Sequence, residues 1–331
     1  MTYFEPDLFN WETIPISRAQ AIARQINIPI SPRPKGTLLI GAGFSKWACG
    51  LPLASELFDF EISISKPVEQ KRLLRLQQMY QFWRAKHPHA NNEEFIRAMT
   101  GRASELVNWY ITRRLTEPFI VNASRRYTWY INSWYAKEHG GIEEARQFLL
   151  SATSRCNIHI VTTNYDLIVE YSLGTKGFNY GVQGEQIGFT PHPWVRPVYA
   201  TGSIALAKLH GSISWDGTRK TPDSRYGLTG KCLIVPPMVG KQAPPQLRDQ
   251  WQLAQSLISK SEILVTFGFA FNDYDVAVRD LFSSSMPSLK KVVIIDVCDH
   301  RGRFSTLFPE AEMSFVDVTS SGVDAILESV S

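Results

Sequence analysis

Seven short apolar runs, each closed by turn residues, constrain this chain more than anything else in it. They are Thr37–Ile40, Ile158–Val161, Ile204–Leu209, Cys232–Val235, Ile263–Phe267, Val292–Val297 and Met313–Val318. Several lack alternation between apolar and polar residues, as strands covered on both faces do. Helix-length segments separate the last of them, such as Gln246–Ser259 and Tyr274–Phe282. The pattern predicts an α/β fold with a doubly wound, mostly parallel, Rossmann-like sheet and helices on both faces. A chain of 331 residues with 44% hydrophobic content can bury such a core.

Between about residues 53 and 156 the spacing changes to that of helices, with Leu73, Leu74, Tyr80, Phe95, Ile96, Met99, Leu106, Trp109 and Tyr110 recurring at three- and four-residue intervals. This reads as a large helical insertion between two strands. Pro118 sits early in one candidate helix, and Gly140-Gly141 separates it from another that starts near Ile142 and ends at Ser151. Residues 1–35 form an N-terminal extension, residues 36–330 the main domain. The Gly- and Pro-rich stretch Gly174–Pro197 is expected to be loop over the C-terminal edge of the sheet, where open α/β folds bind ligands.

Charge narrows the class of partner. The net charge is +4, too small to mark a nucleic-acid-binding protein, yet residues 66–155 hold 15 Lys and Arg against 8 Asp and Glu. Arg113, Arg114, Arg125 and Arg126 stand among Trp109, Tyr110, Tyr127, Trp129 and Tyr130, a mixture that nucleic-acid surfaces also use. Arginines on the wet face of helices and aromatics on the dry face explain it better, so nucleic acid is not favoured. Trp83, Trp109, Trp129 and Trp134 are more indoles than a thin helical layer buries easily, so the insertion is expected to face another copy of the chain or a regulatory partner.

The four cysteines, Cys49, Cys156, Cys232 and Cys298, form no Cys-x-x-Cys pair and read as buried, reduced thiols. His87, His89, His139, His159, His192 and His300 show no metal-ligand spacing, so no metal is expected. No run approaches the roughly 20 apolar residues needed to span a bilayer, and Met1–Pro15 has no apolar run after a basic start. A cytoplasmic protein with no membrane partner is the expectation.

Four segments carry the chemistry, each at the C-terminal end of a predicted strand. Gly41-Ala42-Gly43-Phe44-Ser45 is a glycine turn opening a helix, the arrangement that presents backbone N–H groups and a helix dipole to a pyrophosphate. Lys46 stands where a dinucleotide fingerprint wants its third glycine, so this is no ordinary dehydrogenase. The others are Thr162-Thr163-Asn164-Tyr165-Asp166, Leu209-His210-Gly211-Ser212 and Gly268-Phe269-Ala270-Phe271-Asn272-Asp273. Taken singly, His210 reads as a satisfied strand-end histidine and Asn164 as a helix N-cap.

With Gly50-Leu51-Pro52, this ordered set resembles the sirtuin-like family, in particular the bacterial sirtuin-like NAD hydrolases of antiviral defence, over roughly residues 36–60 and 156–300. The resemblance implies that NAD is bound as substrate. It places the pyrophosphate on Gly41, Ala42, Gly43, Phe44 and Ser45, the nicotinamide ribose by Asn164 and Asp166, a catalytic histidine at His210, and Thr163 among the residues that bind the dinucleotide. Gly268 and Phe269 fall beside the adenosine, and Asp296 matches an asparagine near the adenine ribose. The zinc cysteines of the deacylases are absent, and Leu53-Ala54-Ser55 stands where those enzymes carry an aromatic-arginine pair. The resemblance therefore implies hydrolysis of NAD, with a protein deacylase and a catalytically silent nucleotide-binding module as alternatives. Defence by NAD depletion, and the regulation such an enzyme needs, are implied by the family alone.

Overall fold

The computed structural model describes residues 35–330 except 63, 65, 117–118, 122–128, 132–140, 156, 175–176, 182–187, 190–197, 200–201, 217–231, 238–244 and 272–274. Most of the predicted N-terminal extension lies outside them, as do Cys156, Arg125, Arg126 and Trp134.

Six of the seven apolar runs form one parallel sheet. They are β1 (Lys35–Ile40), β4 (Asn157–Thr162), β8 (Ile204–Lys208), β11 (Ile263–Phe267), β12 (Lys291–Asp296) and β13 (Glu312–Asp317). The spatial order is β13-β12-β11-β1-β4-β8, with the two-residue β5 (Phe178–Asn179) at the far edge. Every pairing in it is parallel. From β1 the chain builds outward through β4 to β8, then returns to the other side of β1 and builds β11 to β13. The order therefore reverses between β1 and β11, and their C-terminal ends frame the crevice that such a reversal leaves open.

Alternation along the strands covers both faces. Leu38, Ile40, Ile160, Leu206, Val265 and Ile295 pack on one side with α1 (Ala42–Cys49), α5 (Ile142–Arg155), α6 (Ile168–Leu173) and α10 (Val323–Val330). Leu39, Val161, Ala207, Leu264 and Ile294 face the other way, onto α7 (Arg248–Ile258), α8 (Val276–Ser285) and α9 (Arg301–Leu307). This is the doubly wound α/β arrangement.

Between β1 and β4 lie a 3-10 turn (Ala54–Asp59), α2 (Pro67–Lys86), α3 (Asn92–Ala98) and α4 (Arg102–Thr116). They enclose an aromatic cluster of their own: Phe58 stacks on Tyr80 at 5.0 Å and on Tyr110 at 5.6 Å, and meets Phe95 edge-on at 5.0 Å. Asn92 ties the layer together, donating to the carbonyls of Ala54 and Ser55 while its Oδ1 accepts from Tyr80. Trp109 is buried here and Trp83 packs partly buried against the same core, so this layer takes both indoles without a partner.

Several expectations are corrected. Where the segment after Pro118 is described it is strand instead of helix: β2 (Phe119–Val121) pairs antiparallel with β3 (Trp129–Ile131), in keeping with the β-branched and aromatic residues of both runs. The run 232–235 does not enter the main sheet; β10 (Cys232–Ile234) pairs antiparallel with β9 (Gly211–Asp216), the strand that carries the buried Trp215. Gly174–Pro197 is not all loop, since β5 joins the sheet beside the start of β8 and β6 (Gly188–Phe189) pairs with β7 (Val198–Tyr199). Two-residue strands are too short to leave a periodic signal. Arg114 does not lie on a wet face: it is buried, 2.9 Å from Asp59, while Arg113 pairs with Glu69. Cys49 is buried as expected, but Cys298 is exposed.

His159 serves the sheet. Its Nδ1 accepts the Ala205 N–H at 3.1 Å, which requires the neutral ring, and burial followed by the nearby Lys260 charge lowers its pKa from 6.5. The unfolded chain binds this proton more tightly than the folded one, so the contribution is complete above about pH 6.5 and is lost as pH falls below it through the folded value. Urea midpoints are expected to drop over that window more steeply for the wild type than for His159→Gln. Equal slopes would contradict this account.

Candidate functional site

The turn after β1 and the turn after β11 are locked together by backbone. The Gly41 N–H donates to the Phe267 carbonyl at 2.9 Å and the Gly43 N–H to the Gly268 carbonyl at 3.1 Å. A Cβ on Gly41 would lie 2.3 Å from the Gly268 oxygen, and one on Gly268, whose φ is +62°, would lie 2.3 Å from the Phe44 nitrogen. These glycines are therefore required by loop-on-loop packing, and the amides of Gly41 and Gly43 are already satisfied by protein. What remains for an anion is the N-terminal end of α1: no side chain caps it, its first turn carries no acidic residue, and Ala42 is exposed. Gly50, at φ 69°, ends the same helix as its left-handed cap.

On the β4 side, Asn164 reaches across to this turn. Its Nδ2 donates to the Gly41 carbonyl and to Ser45 Oγ, each at 2.8 Å. Ser45 in turn donates to Asp166 Oδ2 at 2.7 Å, and Asp166 Oδ1 accepts the Ile168 N–H at 3.0 Å. Leu167 is the N-cap of α6 and no side chain caps it, so Asn164 does not cap the helix; Asp166 only holds its first amide from one residue before the cap. Thr162 Oγ1 accepts the Asn164 N–H at 3.0 Å, holding that residue from behind. Asn164, Asp166, Ser45 and Thr163 are all buried.

His210 lies in the turn that joins β8 to β9 and is 3% exposed. Its carbonyl accepts the Val235 N–H at 2.9 Å, and the Tyr165 ring lies 6.2 Å away, centroid to centroid. The Tyr165 hydroxyl donates to the Val235 carbonyl at 2.6 Å. Burial, then the negative charges of Asp275 and Glu93, push the phenol pKa well above 10.0, so it remains a donor. Cys49, against the same loop, has its thiol pushed up by burial and then by Asp166, which excludes a thiolate nucleophile at neutral pH.

The remaining predicted residues divide. Phe44 is enclosed among Phe148 and Phe267, and Phe269 packs on Phe271 at 4.9 Å, so both rings serve the core. Asp296 ends β12, one strand beyond Gly268, and its Oδ1 accepts the Val297 N–H at 2.7 Å. Asn272 and Asp273 lie outside the described residues. Sequence reasoning missed Lys208 and Glu170, a buried pair 2.7 Å apart directly behind the Asn164–Asp166 segment. The signal was present: each is a lone charge in an otherwise apolar element, Ile-Ala-Leu-Ala-Lys and Ile-Val-Glu-Tyr-Ser-Leu.

The C-terminal ends of the neighbouring strands β1, β4 and β8 thus carry buried amide, hydroxyl, carboxylate and imidazole groups, next to a helix N-terminus that no side chain caps. Residues 158–303 match the family model of the SIR2-like domain. The SIR2-like region runs from β4 to the first turn of α9 and so contains Asn164, Asp166, His210 and Gly268, while the glycine turn after β1 lies upstream of it. No curated protein matches the chain. Solved structures similar to it include one described as "Structural Basis for the Mechanism and Regulation of Sir2 Enzymes", at 12% identity and TM-score 0.42 over 90% of this chain and 92% of that one. Another is a Sir2 homolog–NAD complex, at 12% identity and TM-score 0.40 over 90% of this chain and 88% of that one.

Proposed function

We propose that this chain is an NAD glycohydrolase that cleaves the nicotinamide–ribose bond to release nicotinamide and ADP-ribose. The observation that carries the reading is the hydrogen-bonded chain Gly41 carbonyl–Asn164–Ser45–Asp166 at the ends of β1 and β4, with His210 at the end of β8, the strand next to β4. The SIR2-like match over residues 158–303, together with the sequence motifs, directs the choice of substrate. The residues fit a dinucleotide at both ends that matter: the uncapped α1 N-terminus suits a pyrophosphate, and the buried polar groups suit ribose hydroxyls.

Cleavage leaves an oxocarbenium-like ribose, so the site has to exclude bulk water, hold hydroxyls and take one proton near neutral pH. Burial of Asn164, Asp166 and His210 supplies the first. Asn164 orients a hydroxyl or the attacking water without adding charge, Asp166 holds Ser45 and the loop, and His210 accepts the proton, for which imidazole has the suitable ordinary pKa. A protein partner or a second copy that opens the site, and a role in anti-phage NAD depletion, complete the proposal.

The test is chromatography of the products from NAD, with and without an acyl-lysine peptide. Nicotinamide and ADP-ribose at rates unaffected by the peptide are expected. Acyl-ADP-ribose formed only with peptide would assign a deacylase, and tight ADP-ribose binding without turnover a silent module. Among the described residues no three His, Cys, Asp or Glu side chains are placed to hold a metal ion. Dialysis against a strong chelator is accordingly expected to leave turnover unchanged; loss that zinc or magnesium restores would overturn that expectation.

A further inference from the structure

Lys208 ends β8 with its side chain 1% exposed, inside a core that gives an ammonium group little reason to be there. Its Nζ donates to the Asp166 carbonyl at 2.5 Å and to Glu170 Oε1 at 2.7 Å. Glu170, on α6, is 4% exposed on its side chain; its Oε1 also accepts from the Tyr180 hydroxyl at 3.0 Å, and its buried Oε2 has no hydrogen-bond partner among the described residues. The Lys208 N–H donates to Gln250 Oε1 at 3.1 Å, and Gln250 Nε2 donates to the Tyr180 carbonyl at 3.1 Å. Buried ion pairs of this kind are often no more stable than apolar residues of the same volume, so charge pairing alone does not account for this one.

The placement does. Strand alternation puts Lys208 on the same face of the sheet as Leu206 and the α6 side, and His210 follows two residues later in the turn. The Asp166 carbonyl belongs to the loop whose side chains form the Asn164–Ser45–Asp166 chain. The Leu209 N–H, donating to the Thr162 carbonyl at 2.9 Å, is a second link between the same two segments. Beyond His210, the Ser212 hydroxyl and the Ile213 N–H reach the Tyr165 carbonyl at 3.4 and 2.9 Å, so Lys208 is the buried charged member of a small set of bonds that set where the Asn164–Asp166 loop stands relative to His210.

We infer that Lys208 is a positioning residue for the proposed NAD-cleaving site, acting through the Asp166 carbonyl, with Glu170 present to balance its charge. The inference rests on the NAD reading for its kinetic arm only. The variants are Lys208→Met, which leaves Glu170 buried without its counter-charge, and Lys208→Met/Glu170→Gln, which removes both charges and keeps an acceptor for Tyr180. If Lys208 acts by position, the double variant regains thermal stability lost by the single one, while kcat for NAD stays at least ~10-fold down in both and KM changes less than ~3-fold. A double variant with wild-type kcat, or a folded single variant with wild-type kcat, overturns the inference.

Amide hydrogen exchange over residues 163–168 is the second arm and needs no substrate. Faster exchange there in the double variant supports the inference, and unchanged exchange overturns it. If the wild-type protein does not cleave NAD at all, the functional proposal fails and the exchange arm still decides what Lys208 does.

Discussion

His210→Ala is expected to lower NAD turnover at least ~100-fold, the scale of losing a positioned proton acceptor, with the circular dichroism spectrum unchanged. The imidazole lies at the C-terminal end of β8, beside the loop that holds Asn164. Its backbone bond to Val235 survives the substitution because it uses the carbonyl. Asn164→Ala should cost a similar factor for a different reason, since Nδ2 holds both the Gly41 carbonyl and Ser45 Oγ. It should also cost about 1–3 kcal/mol of stability, the range for leaving buried polar groups unpaired. Steady-state kinetics on folded variants check both, and wild-type turnover in either would remove that residue from the mechanism.

Gly268→Ala is expected to destabilise the protein by about 3–5 kcal/mol, well above an ordinary glycine replacement. Two costs add. The backbone at φ +62° disfavours any L side chain, and the new methyl would press within 2.3 Å of the Phe44 nitrogen and 2.5 Å of Gly43, which are main-chain atoms and cannot swing aside. Gly41→Ala meets the Gly268 oxygen at 2.3 Å and should behave alike. Either change forces the β1 and β11 turns apart at the head of the crevice. Urea unfolding measures the loss, and a change under about 1 kcal/mol would show that the turns are not held as described.

The parallel strands were legible because a strand buried on both faces is nearly continuous in apolar residues, as Val-Val-Ile-Ile is. The proposed site residues were chosen by position, since turns at the C-terminal ends of parallel strands are where open α/β sheets bind ligands, and the structure places those turns at the ends of β1, β4, β8 and β11. What stayed hidden depends on distant partners. Nothing local to Gly41 says that Gly268 lies against it, so an amide spent on protein looked like one available to phosphate. Nothing local to Trp109 says that the insertion supplies its own core of Phe58, Tyr80 and Phe95. Lys208 and Glu170 could be suspected singly as charges in apolar segments, but only the fold pairs them across 38 residues.

The central claim is that the groups gathered between β1, β4 and β8 break the nicotinamide–ribose bond. The most direct measurement is the time course of nicotinamide release from NAD by the full-length protein, in parallel with His210→Ala and with candidate activating partners added. The account predicts nicotinamide and ADP-ribose in equal amounts from the wild type under at least one condition, with the variant at least ~100-fold slower under the same one. Equal rates for the two proteins, or intact NAD in every mixture alongside measurable ADP-ribose binding, would contradict it.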